Sequence, residues 1–112
     1  MKGPPRRGDL FWVSLDPARG TEIRKIRPAV VISNDSCNRH GARVIVLPVT
    51  SNVESLYPGE AMIEMQGRQA RVLGDQMRSL DKSRLGSRIG TLSPAELSAV
   101  EEAIRITLGL LP

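Results

Sequence analysis

The chain has 112 residues and a net charge of +4, with 40% hydrophobic and 25% charged residues; this fits one globular domain with a modest core and excludes disordered, collagen-like and coiled-coil classes. No apolar run approaches the roughly 18 residues a membrane helix needs, and no hydrophobic segment follows the Pro- and Arg-rich start as a secretory signal would, so a cytoplasmic protein is expected. One cysteine, Cys37, and one histidine, His40, supply neither an internal disulfide nor a zinc ligand set, so no metal or cofactor is expected.

One domain over residues 1–112 is expected, with 1–6 as an N-terminal tail. The charge is uneven: residues 1–56 hold nine Lys/Arg against five acids, and the remainder balances. Such a bias favours a polyanionic partner, because Lys and Arg release counterions when they neutralise phosphates, although it also fits a merely solubilising surface. Residues 9–15 (DLFWVSL) read as a first strand, with Phe11, Val13 and Leu15 on one face. Asp16-Pro17 ends it. A basic loop follows to residue 26, carrying Arg19, Arg24 and Lys25, with Arg27 at its end, around one acid, Glu22.

Pro28 cannot donate to a ladder and suits a strand's first residue, so residues 29–33 (AVVIS) supply the second strand, with Arg27 at its entrance. Asn34-Asp35-Ser36 marks a turn or helix start. Residues 43–49 (RVIVLPV) fit a central strand covered on both faces, with pairing that ends or bulges at Pro48 and Thr50 at the exit. Residues 52–59 form a loop, and residues 61–65 and 71–73 form a hairpin around Gln66-Gly67-Arg68. Residues 74–79 are polar and carry no clear element. A short helical turn is expected over 81–86 and an extended piece over 88–92. Ser93-Pro94-Ala95-Glu96 is a capping box, and Leu97, Val100, Ile104, Leu108 and Leu111 follow at helical spacing to a close near Gly109.

Three segments together resemble the MazF/PemK family of toxin endoribonucleases: RGDLFWVSLDPARGTEIRKIRPAVVIS (7–33), VIVLPVTSN (44–52) and GDQMRSLDKSRL (74–85). The resemblance covers nearly the whole chain from Arg7. It implies a mainly β fold, an SH3-like antiparallel β-barrel with short helical insertions and a C-terminal amphipathic helix. It further implies a homodimer, sequence-selective cleavage of single-stranded RNA, an acidic antitoxin as cognate partner, and DNA binding as the antitoxin complex. Carried over residue by residue, Arg27 and Thr50 become the catalytic pair. Asp16, Arg19, Thr21, Arg24, Lys25, Ser51, Asn52, Asp75, Gln76 and Arg78 become RNA-binding candidates. Several relatives carry His where this chain has Thr21.

The residue types suit that chemistry. Cleaving RNA needs only the neighbouring 2′-hydroxyl as nucleophile, which leaves a 2′,3′-cyclic phosphate or 3′-phosphate and a 5′-hydroxyl; the protein must align it, stabilise charge on phosphorus and move protons. An arginine fork binds two non-bridging phosphate oxygens at once, and a threonine hydroxyl on an adjacent strand donates to a third oxygen on phosphorus or to the leaving oxygen. Arginine is a poor base, so Glu22 is the candidate base and Asp75 a weaker one. Asp75 and Arg78 fit a buried pair fastening the sheet or dimer as well as they fit RNA contact. With Phe11, Trp12 and Tyr57 the only aromatics, recognition is expected to rest on phosphates and base edges. Two other readings stand beside this one: a non-catalytic barrel toxin that poisons DNA gyrase through its C-terminal helix, and an inactive RNA-binding module. Retention of Arg27 and Thr50 argues against the first.

Overall fold

Seven antiparallel strands and two helices make up the computed structural model, which describes residues 3–15 and 26–110. They run β1 (Asp9–Ser14), β2 (Ile26–Val31), α1 (Asp35–His40), β3 (Arg43–Thr50), β4 (Glu60–Met65), β5 (Arg68–Leu73), β6 (Arg78–Asp81), β7 (Leu85–Thr91) and α2 (Pro94–Leu108). Short 3-10 turns at Gly74–Gln76 and Lys82–Arg84 flank β6. The order across the sheet is β4-β5-β3-β2-β1-β7, with β6 also paired to β3. The sheet curls into a half-barrel and α2 covers one of its faces, so the mainly β architecture with a terminal helix is as expected.

β3 organises the whole. Val44, Val46, Leu47 and Val49 are all buried, because both faces of this strand are covered. Leu47 and Val49 join Leu10, Val30, Ile63, Val72, Val100 and Ala103 under α2. Val44 and Val46 join Phe11, Val13, Ala29, Val31 and Leu80 inside the curl. Pairing does not end at Pro48, which lies opposite Ala29 of β2. Instead, the other edge of β3 changes partner there: β6 pairs as far as Val46, and β5 takes over at Val49. A residue without an N–H fits that seam.

The start of the resemblance motif is structural. Gly8, at φ +94, donates to the Val31 carbonyl (2.7 Å) and accepts from Leu92 N–H (2.9 Å), so it joins the ends of β2 and β7. Arg7 pairs with Glu101 of α2 (2.6 Å). Asp9 is buried and paired with Arg88 (2.8 Å), whose guanidinium lies 5.4 Å from the centre of the Phe11 ring.

α2 begins at the expected capping box, in which Ser93 and Glu96 satisfy each other's backbone N–H, and ends on Gly109 in the left-handed conformation. Its buried face is Val100 and Ala103, with Leu97 and Ile104 partly buried. The expected stripe is corrected at Leu108, which is 53% exposed on the helix's last turn; Leu111 lies outside the described residues. No helix among the described residues is long and apolar enough to cross a membrane.

Candidate active site

At the open end of the curl, β2, β3 and β5 leave a cleft of about 360 Å³ lined by Arg27, Thr50, Asn52, Arg71, Gln76 and Arg78 among others. Sheet register accounts for it. Ala29 pairs with Pro48, so the same register continued by two residues brings Arg27 level with Thr50. On the other side Thr50 pairs directly with Arg71. Side chains two apart on a strand share a face, so Arg27, Thr50 and Arg71 stand in one row on the face that buries Ala29 and Val46 further in.

The strand holding Arg27 starts one residue before it, at Ile26, so the expected strand entrance becomes the second residue of β2. Arg27 is exposed and has no ion-pair partner among the described residues, which leaves its fork open to an anion. The Thr50 hydroxyl oxygen accepts the Asn52 N–H (3.2 Å), and Asn52 in turn accepts from Glu54 N–H (3.1 Å). The hydroxyl hydrogen of Thr50 is thereby left to donate into the cleft. Arg78 enters from β6, level with Val46, and Gln76 from the 3-10 turn before it. Three guanidiniums and no carboxylate line the cleft among the described residues, an arrangement that concentrates positive potential at its mouth.

Of the residues expected at the site, Arg27, Thr50, Asn52, Gln76 and Arg78 meet here. Ser51 and Asp75 are exposed and are not among the residues that line the cleft. Asp16, Arg19, Thr21, Glu22, Arg24 and Lys25 lie outside the described residues. His40 ends α1, exposed and away from the cleft. No cluster of three or more potential metal ligands occurs among the described residues.

Arg71 was not anticipated. The expected hairpin started its second strand at Arg71, which hid the register. Gln66 and Gly67 both have positive φ (54° and 78°) and alone form the turn, so Met65 pairs with Arg68 and the strand gains three residues. Arg71 donates to the Ser55 carbonyl and lies 3.5 Å from the Glu60 carboxylate; its Nε is buried with no acceptor among the described residues.

Residues 6–108 match the family of PemK-like, MazF-like toxins of type II toxin–antitoxin systems. The chain is 40% identical to endoribonuclease MazF9 of Mycobacterium tuberculosis, over 94% of this chain and 97% of that protein. It is 36% identical to endoribonuclease MazF of Staphylococcus saprophyticus, over 94% and 92%. Among solved structures it superimposes on a MazE–MazF crystal structure from Deinococcus radiodurans with a TM-score of 0.83 and 30% identity, covering 98% of this chain and all of that one. A mycobacterial endoribonuclease in complex with its cognate antitoxin gives a TM-score of 0.81 at 26% identity, over 96% and 98%.

Proposed function

The chain belongs to the PemK-like, MazF-like toxins of type II toxin–antitoxin systems and is an endoribonuclease, and from this premise we propose that it cuts single-stranded RNA at the Arg27–Thr50 cleft, without a metal. The observation that carries this reading is the single row of Arg27, Thr50 and Arg71 across three strands, opening on one positive cleft.

In the reaction, the 2′-oxygen bonds to the adjacent phosphorus as the bond from phosphorus to the 5′-oxygen breaks. The 2′-hydroxyl proton goes to a base and the departing 5′-oxygen takes one up. Arg27 grips the two non-bridging oxygens, and Thr50 donates to the leaving 5′-oxygen, so that charge growing in the transition state meets fixed donors. Glu22 is the assigned base, since the described cleft wall offers neither carboxylate nor imidazole. Arg19, Arg24, Lys25 and Arg78 hold flanking phosphates. Asp16, Thr21, Ser51, Asn52, Asp75 and Gln76 supply edge contacts to bases.

Its partners follow the same chemistry. An acidic antitoxin segment covers the cleft and the basic stretch 19–27, in line with the MazE–MazF and endoribonuclease–antitoxin complexes among its structural neighbours. Ile106, Leu108 and Leu110 are each more than half exposed at the end of α2 and are assigned to the homodimer contact. The protein acts in the cytoplasm. Mapping both ends of cleaved transcripts tests the reaction: a 5′-hydroxyl and a 2′,3′-cyclic phosphate or 3′-phosphate are expected, whereas a 5′-phosphate with a 3′-hydroxyl would refute 2′-hydroxyl attack.

A further inference from the structure

We infer that Arg71 is a positioning residue for the cleavage proposed above: it straps the loop of residues 51–59 to the cleft wall and so determines which nucleobases are accepted beside the scissile phosphate. The inference rests on that reading of the cleft. Its starting point is that both ends of this loop are fastened to one cross-strand pair, Thr50 and Arg71. At the first end the Thr50 hydroxyl accepts the Asn52 N–H. At the second, Arg71 donates to the Ser55 carbonyl and pairs with Glu60, whose carboxylate accepts the Tyr57 N–H (2.9 Å) while its own N–H donates to the Tyr57 carbonyl (3.1 Å).

The loop's last residue, Gly59, is buried and its carbonyl accepts from Gly74 N–H (3.1 Å) and the Thr107 hydroxyl (3.4 Å), but residues 51–58 are all exposed. Val53, Leu56 and Tyr57 are 36%, 53% and 61% exposed, so the loop has no apolar anchor in the core. The strap, by contrast, is nearly enclosed, with the Arg71 and Glu60 side chains 13% and 12% exposed. A charged pair taken out of water adds little stability over an apolar pair of the same size, and its contribution is to fix one geometry. What the strap fixes is the backbone around Tyr57, whose N–H is held by Glu60 and whose ring is exposed, in the same loop whose Asn52 lines the cleft, so that the ring is free to meet a splayed base.

The test uses Arg71→Met, which keeps the stem and loses the strap, Arg71→Lys, which keeps the charge and loses the fork, and Glu60→Gln. Each is assayed for kcat and KM on one single-stranded RNA, for its cleavage sites along a long transcript, and for its thermal midpoint. Arg71→Met is expected to raise KM about tenfold or more while kcat stays within a few-fold, and to cut at sites the parent ignores. Arg71→Lys and Glu60→Gln should fall between, and they carry the test should Arg71→Met fail to fold. An unchanged KM and cleavage pattern would overturn the inference, as would a loss confined to kcat, which would put Arg71 on the reacting phosphate. If the parent protein cuts no RNA, the proposed function fails. Fluorescence anisotropy with a panel of 2′-deoxy-substituted oligonucleotides then decides Arg71 separately: relaxed sequence preference in Arg71→Met supports the strap, and unchanged preference overturns it.

Discussion

Thr50 of β3 and Arg71 of β5 are direct cross-strand partners, and the row they form continues across β2 to Arg27. Thr50 therefore stands between two guanidiniums with its hydroxyl hydrogen free to donate. Replacing it by valine keeps the shape and removes the donor, so Thr50→Val should lower kcat about 10² to 10³-fold, as loss of one transition-state donor does elsewhere. Thr50→Ser should stay within a few-fold of the parent. Single-turnover cleavage of a short RNA reads both, and equal rates for the valine and serine variants would remove Thr50 from the chemistry.

The cleft's positive lining predicts salt-dependent binding. Affinity for a non-cleavable single-stranded RNA should fall log-linearly with salt, and Arg27→Ala should reduce that slope by about 0.7, the value of one phosphate contact on a single strand. Antitoxin binding should weaken with salt as well. Anisotropy titrations across a salt series measure both slopes, and an Arg27→Ala slope equal to the parent's would place Arg27 away from phosphate.

Ser93 caps α2, the helix that covers one face of the sheet. Ser93→Ala leaves the Glu96 N–H without its acceptor and should destabilise the protein by about 1 kcal/mol while leaving cleavage unchanged. Urea denaturation measures the loss.

Acid should weaken the same junction. Burial pushes the Glu96 carboxyl up, but hydrogen bonds from Glu64 N–H and from the backbone and hydroxyl of Ser93 outweigh it and hold the group below its usual 4.5. Asp81, fully exposed, is held below 3.8 by the N–H and hydroxyl of Ser83, against slight desolvation and with help from Arg43 and Arg84. A carboxylate whose folded pKa is depressed contributes stability that is complete above its unfolded value and is lost as pH falls through the folded one. The thermal midpoint should therefore decline below about pH 4.5, and less steeply in Glu96→Gln. Parallel pH profiles for the two proteins would show that Glu96 carries none of the effect.

Much of this fold was legible because local chemistry and tertiary context agree in it. The unbroken apolar run of β3 announced a strand covered on both faces, and Ser93-Pro94-Ala95-Glu96 placed the start of α2 to the residue. β6 escaped detection because its core contribution is one side chain, Leu80, between polar neighbours, and its strand character comes from pairing with β3. Leu108 fits the helical period yet is left exposed, because on that last turn it is Thr107 that meets the fold, its hydroxyl donating to the Gly59 carbonyl. At the site, Arg27 and Thr50 came from motif resemblance, and the register then gave the pair a common cleft. Arg71 belongs to no motif quoted above, and only the two-residue turn at Gln66-Gly67 reveals that it faces Thr50.

The most direct test of the central claim is cleavage of a long single-stranded RNA in excess EDTA by the parent protein and by Arg27→Ala and Arg27→Lys. The account predicts that the parent cuts in EDTA, that Arg27→Ala is slower by about 10² to 10³-fold at an unchanged thermal midpoint, and that Arg27→Lys recovers only part of the rate because it lacks the fork. Loss of the parent's activity in EDTA, or cleavage by Arg27→Ala at the parent's rate, would contradict it.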